Sequence, residues 1–222
     1  MARAAGARLS QQGEQTRIAL IEAAEMIIAA DGLEGFSARK LATRIGASNN
    51  AVVSYHFGSN QALIEAIYRH RLPAIEARRQ QLMDQAHASG TDRDPATLLR
   101  ALWQPLLEQT DAEGRHSYCG FLSEVIRSGL GRSRWMLTAD FPVTQRLRAK
   151  IEAAAPDHFA QMAEMKWHLL TQWSLETLRY IDKELDLPGE ECARYFNEAV
   201  DMVAATLKAG NLAELSGKAV QS

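Results

Sequence analysis

Cysteine is scarce in this 222-residue chain: Cys119 and Cys192 are the only two. A single bridge would not staple a chain of this size, so the fold must rest on a packed core. The sparse cysteine also points to a reducing compartment, most simply the cytoplasm. A run of roughly 18 uncharged apolar residues is absent too, so no membrane-spanning helix is expected. The first residues, MARAAGARLSQQGEQ, carry Arg3 and Arg8 but no apolar core, and do not read as a secretory signal. Nor is there an excess of one charge: 25 Lys and Arg stand against 27 Asp and Glu, for a formal net charge of −2. That excludes a basic coat protein, and any polyanion must be met by a local surface.

Catalytic signatures are missing as well. There is no G-x-S-x-G elbow, and Gly129-x-Gly131 lacks the third glycine and the preceding strand of a dinucleotide loop. His116-x-x-Cys119 places two metal-ligand types one helical turn apart, but no second pair is spaced to complete a site. No enzyme activity, cofactor or metal is expected. Period-two alternation of apolar residues is absent, and the chain reads as all-α.

What is present centres on Ser37–Phe57, SARKLATRIGASNNAVVSYHF. Ser37 is a good N-cap, since its hydroxyl accepts an orphan backbone N–H. Leu41, Ala42 and Ile45 then share one helical face, and Gly46 follows where a residue without Cβ ends the helix. Ala47–Asn50 makes a turn, and Ala51–Tyr55 begins a second short helix. Two short helices with a glycine at the corner form the helix-turn-helix pattern, whose second helix enters the DNA major groove; an αα-corner that merely packs has the same local pattern. Upstream, Thr16–Asp31 is an amphipathic helix stopped by Gly32. Downstream, Ser59 caps another with Ala62, Leu63, Ala66 and Ile67 inward.

Together these pieces resemble the TetR family of one-component transcriptional regulators, in the helix ending in DG, in GFSARKLATRIGAS and in YHFGSNQALIEAIY. The resemblance covers Thr16 to about Arg71. Two departures stand out. One more residue separates Gly46 from Phe57 than in the commonest family pattern, and Asn60 stands where the family usually has a phosphate-contacting Lys.

Candidate DNA-binding residues are Ser37, Arg39, Lys40, Ser48, Asn49, Asn50, Val53, Ser54, Tyr55 and His56. Arg39 and Lys40, with Arg44, make the local basic surface. Asn pairs with adenine N6 and N7, yet Asn also favours turns and caps, so one of Asn49 and Asn50 is expected to cap and the other to touch DNA. Val53 offers a methyl contact to thymine, while Val52 faces the core. Ser54, Tyr55 and His56 present polar groups to phosphates or base edges. The resemblance implies that Tyr55 bonds a phosphate, that Phe57 packs inside, and that Ser37 and Arg39 meet the DNA backbone.

The chain divides into a disordered leader over 1–13, a helix-turn-helix domain with its linking helix over 14–72, and a helical domain over 73–222. The last boundary rests on Leu72-Pro73, because a residue before proline is pushed away from helical geometry. An Arg-bearing leader of this kind adds phosphate or minor-groove contacts when it binds. Segments at 73–87, 94–107, 115–130, 141–154, 156–185 and 190–209 carry helical apolar stripes separated by Gly, Pro and Ser. The two long C-terminal segments suit a four-helix homodimer interface, with Tyr195, Phe196, Ala199 and Val203 as its candidates.

Trp103, Tyr118, Phe121, Met162 and Trp173 are candidate linings of a pocket, with Arg127 and His168 as polar anchors. Aromatic and Met side chains suit apolar sites, although ordinary core packing accounts for each singly. The resemblance implies a small-molecule effector here, expected to be apolar or aromatic. The function expected is a ligand-responsive homodimeric repressor, released from a palindromic double-stranded DNA operator. The alternative is a non-catalytic helical protein that binds a ligand or partner and has lost specific DNA binding.

Overall fold

A computed structural model describes residues 2–47, 49–129, 141–155, 163–187 and 189–208, with 2–11 as helical backbone. Nine α-helices and no strand occur among the described residues. Helix α1 (Ala2–Asp31) runs through the segment expected to be a disordered leader. Ala, Arg, Leu, Gln and Glu are strong helix formers, and no proline interrupts them, so the helix propagates back from its packed part.

The head follows the local signals closely. Helix α2 (Ala38–Arg44) starts at Ser37, whose Oγ accepts the Lys40 N–H at 3.2 Å, and buries Leu41 and Ala42. Gly46 turns the chain at φ 69°, a left-handed conformation that suits glycine. Helix α3 (Ala51–Phe57) follows, and α4 (Asn60–Ala88) begins at Ser59, whose Oγ accepts the Ala62 N–H at 3.1 Å.

At Leu72-Pro73 the structure corrects the sequence reading. Helix α4 does not end there; Pro73 lies inside it. An interior proline removes one helical hydrogen bond at about 3 kcal/mol or more. Here residues on both sides of it are buried: Tyr68 and Leu72 before, Ile75, Glu76 and Arg79 after. Packing over both halves overrides the local preference, so head and body share one continuous helix.

The body comprises α5 (Pro95–Leu107), α6 (Ser117–Arg127), α7 (Pro142–Ala154), α8 (Ala163–Tyr180) and α9 (Gly189–Lys208). Asp94 caps α5 by accepting the Thr97 N–H at 3.0 Å, with Pro95 at the first helical position. Helix α8 ends in a π turn, Ile181–Leu185, closed by Asp186 at φ 46°. Helix α9 buries Cys192, Phe196, Val200, Ala204 and Leu207 at helical spacing and packs on α5 and α8.

The apolar core is continuous from Leu41 and Val53 in the head to Phe196 and Val200 in the body. Its densest seam lies between α1 and α6, where a Cβ on Gly120 would meet the Ala29 Cβ at 2.8 Å. Beside that seam, Glu25 of α1 is fully buried. Its carboxylate accepts Arg71 Nε and Nη2, both at 2.8 Å, and Ser117 Oγ at 2.6 Å. Burial works against the Arg71 charge, but Glu25 outweighs it and holds the guanidinium more firmly protonated than usual. No helix among the described residues is long and apolar enough to cross a membrane.

Candidate nucleic-acid interface and cavity

Helix α3 presents two chemically distinct sides. Val53 is 5% exposed and packs in the core, whereas Ser54 is exposed and Tyr55 is 85% exposed. A phenol left that bare in a folded head has a surface to contribute and no packing role. His56 is half-buried, with its ring edge-on to Tyr55 at 5.1 Å, and Phe57 lies under the Arg17 guanidinium at 5.5 Å. Asn49 Oδ1 accepts the Ala51 N–H at 2.8 Å, so Asn49 braces the turn. Asn50 takes the N-cap position with no side-chain capping bond and is exposed.

The basic surface lies along α2. Arg39 and Arg44 are exposed, the latter with Nη2 3.5 Å from the Met26 sulfur. Lys40 is tied to Asp31 at 2.5 Å, with about half of its side chain open to solvent. Ser37 spends its hydroxyl on the α2 cap.

The body forms a partly open cavity of about 350 Å³ between α5, α6, α7 and α8, reached from α4 by Arg79. Its apolar wall includes Leu102, Trp103 and Leu106 of α5, Leu122 and Ile126 of α6, and Trp167 and Leu175 of α8. Arg148 of α7 lines it with its guanidinium 4.7 Å from the Trp167 ring centroid, a cation–π distance.

Arg79 is itself buried. Its Nε and Nη2 donate to the Leu102 carbonyl at 3.0 and 2.9 Å, one turn before Pro105, where a proline inside α5 disturbs the ladder. Its Nη1 reaches Thr144 Oγ1 at 2.7 Å and Glu76 Oε1 at 3.4 Å. Glu76 Oε2 in turn accepts the N–H groups of Val143 and Thr144 at 2.8 and 3.3 Å. Helix α7 has no side-chain cap of its own, so a carboxylate from α4 caps it, where the helix dipole favours negative charge. One helix thus touches the recognition unit at its start and the cavity wall at Arg79.

Residues 20–67 match the model of the bacterial regulatory proteins of the tetR family. Over that stretch the chain is similar to the tetR family. A crystal structure of a transcriptional regulator from Rhodococcus sp. Rha1 is similar over 87% of this chain and 96% of that one. Its identity is 21% and its TM-score 0.56, a likeness that extends the shared fold into the body. No curated protein matches the chain.

Ser37, Arg39, Lys40, Asn49, Asn50, Ser54, Tyr55 and His56 all lie on or beside the two short helices. Ser48 lies outside the described residues. Val53 is corrected: it faces the core and Val52 is the half-buried one, because Val53 lies one turn before Phe57 on the face that packs inward.

In the cavity, Trp103 and His168 are lining residues, and Trp173 packs behind Trp103 at 5.7 Å between centroids. Tyr118 and Phe121 are corrected: they are buried, stacked at 6.0 Å, with Phe121 against Tyr68, and belong to the core. Arg127 points outward, its side chain 72% exposed and paired with Glu124. Met162 lies outside the described residues. Of the interface candidates, Phe196 is corrected to the core at 1% exposure, while Tyr195 is exposed and Ala199 and Val203 are half-buried. Met165, Leu169 and Tyr180 of α8, and Met202 of α9, are exposed apolar residues that were not among the interface candidates.

Arg79 and Arg148 were also missed as cavity residues. For Arg79 a signal existed: it continues the inward stripe of Leu72, Ile75 and Glu76 along α4. His116, half of the rejected metal pair, bonds Asp182 Oδ1 through Nδ1 at 2.7 Å and the Leu107 carbonyl through Nε2 at 3.0 Å.

Proposed function

We propose that this TetR-family protein is a ligand-responsive repressor that acts as a homodimer on a palindromic operator. The observation that carries the reading is Arg79. It lines the cavity from α4, the same helix whose first turn abuts the recognition helix. An effector that repositions Arg79 or Trp103 acts directly on the helix that carries the head. Two heads must present their recognition helices about 34–36 Å apart to fit successive major grooves. A rotation of α4 changes that spacing, provided that the effector binds the two arrangements with different affinity.

On DNA, Asn50, Ser54, Tyr55 and His56 are the groups available to base edges and phosphates. Arg39, Lys40 and Arg44 supply the counter-charge in place of the Lys that Asn60 replaces. The exposed Met165, Leu169, Tyr180, Tyr195 and Met202 on α8 and α9 suit a four-helix interface with a second copy. The effector site is the cavity, and its aromatic walls suit an apolar or aromatic ring. A DNA-binding regulator of this kind works in the cytoplasm.

The test is a gel-shift titration on DNA flanking the protein's own gene at two salt concentrations. Tight, competitor-resistant binding that weakens with salt is expected. Asn50→Ala with Tyr55→Ala should weaken it about tenfold or more, since a good base contact contributes about 1–3 kcal/mol. Unchanged affinity and specificity in that variant would overturn the recognition-helix assignment.

A further inference from the structure

Two sets of cations meet α1 at separate places along its length. Those of α2 meet its C-terminal end: Arg44 Nη2 lies 3.5 Å from the Met26 sulfur, and Lys40 pairs with Asp31. Farther back, Arg17 of α1 carries its guanidinium over the ring of Phe57, the last residue of α3, at 5.5 Å. Nine residues of helix separate Arg17 from Met26, a rise of about 14 Å. That span is close to the width of a major groove, about 12 Å, whose two rims are lines of phosphate. Helix α3 runs from one set to the other: it packs on α2, and its last residue reaches Arg17.

Arg17 has little other employment. Its pair with Glu14 is long, 3.7 Å, and the two side chains are 38% and 60% exposed, so the pair contributes little. Among the described residues its guanidinium donates no hydrogen bond. A cation over a half-buried ring adds modestly to stability, but it fixes where the donors stand.

We infer that Arg17 is a DNA-contacting residue, donating to a backbone phosphate beside the C-terminal end of α3, on the groove rim opposite the one that α2 meets. The inference rests on the head being a DNA reader, and it adds to that reading the residue that engages the second rim. A planar guanidinium matches two phosphate oxygens with parallel donors, and the Phe57 ring holds it in place before DNA arrives. Phosphates carry no sequence information, so this contact supplies affinity and register and leaves base preference to α3.

Fluorescence anisotropy of the full-length protein tests this on two labelled duplexes, one from DNA flanking its own gene and one scrambled, across about 50 to 200 mM salt. Each phosphate neutralised steepens the slope of log affinity against log salt by about 0.9. With two heads per dimer, Arg17→Met should make the slope shallower by about two and weaken low-salt binding about tenfold or more, equally on both duplexes. Arg17→Lys keeps the charge and should keep the slope. Circular dichroism on each variant guards against misfolding. An unchanged slope in Arg17→Met overturns the inference and leaves the DNA reading intact; if operator affinity falls all the same, Arg17 is a brace for α3. If the parent protein binds neither duplex in a salt-dependent way, the DNA reading itself falls and takes the Arg17 contact with it.

Discussion

The two halves of α4, on either side of Pro73, are fastened to the rest of the molecule by different chemistry. Before the proline, Arg71 closes a bidentate pair on Glu25, a carboxylate with no exposure at all, with Ser117 completing its shell. That anchor joins three helices around a carboxylate shut off from water. After the proline, Glu76 and Arg79 hold backbone groups at helix irregularities: the uncapped start of α7 and the Leu102 carbonyl near Pro105. Such partners shift when the α7 or α5 backbone shifts. The first half of α4 is therefore held to α1 and α6 by a buried charge pair, and the cavity end is held by side-chain bonds to the α5 and α7 backbone. On the proposed reading, the continuity of α4 is what would carry a signal from Arg79 to the head.

Breaking the first clamp should have the largest effect. Arg71→Met strands the Glu25 carboxylate in the core, and loss of one member of a buried pair costs about 3–5 kcal/mol. Urea unfolding should show that loss, and the double variant with Glu25→Leu should recover most of it, since the stranded charge is then gone. A single variant less than about 1 kcal/mol destabilised would mean that water reaches Glu25 and that no clamp exists. The second clamp should be weaker. Glu76→Gln keeps an acceptor for the α7 N–H groups but removes the charge that balances Arg79, an expected loss of about 1.5–3 kcal/mol. Its distinguishing mark should be functional: DNA binding without effector is retained, and the response to a cavity ligand is blunted. Equal loss of both would place Glu76 with Arg71 as a plain structural support.

How much of this contrast the sequence displays depends on how local each cause is. The head was legible because its signals act within a few residues: the Ser37 cap, Gly46 after Ile45, and apolar spacing in α2. The Val52 and Val53 assignments were exchanged there because two adjacent valines look alike in the pattern, and only packing shows that Val53 shares the inward face with Phe57 four residues on. Pro73 was misread because a local rule met packing on both sides. Glu25 was legible in principle, since it lies on the apolar face between Ile21 and Ile28. The cavity was not. Arg148 reads as an ordinary helix-surface charge until α7 lies against α8, and Phe196 belongs to a stripe that looks the same facing a core or a partner.

The smallest effect should come from an ion pair that shares α4's second half but faces solvent. Arg78 Nε and Nη2 bond the two Glu108 carboxylate oxygens at 2.7 and 2.9 Å, with about a third of each side chain exposed. The bond from Arg78, with a lesser one from Gln104, holds the Glu108 carboxyl below its usual range against the opposing effect of burial. A carboxyl whose pKa is depressed on folding stabilises the native state above its unfolded pKa, near 4.3, and loses that contribution as pH falls through the folded value. Glu108→Gln should therefore destabilise the protein at neutral pH by a few tenths to about 1 kcal/mol, the range for exposed pairs. The difference from the parent should shrink below about pH 4.3 and vanish once Glu108 is protonated in the folded state. Added salt should reduce it, whereas the Arg71→Met loss should persist, because a buried pair is screened far less than an open one. A Glu108→Gln loss that survives both acid and salt would show that this flank is held by packing, and the contrast between buried clamp and open pair would then have to be redrawn on burial alone.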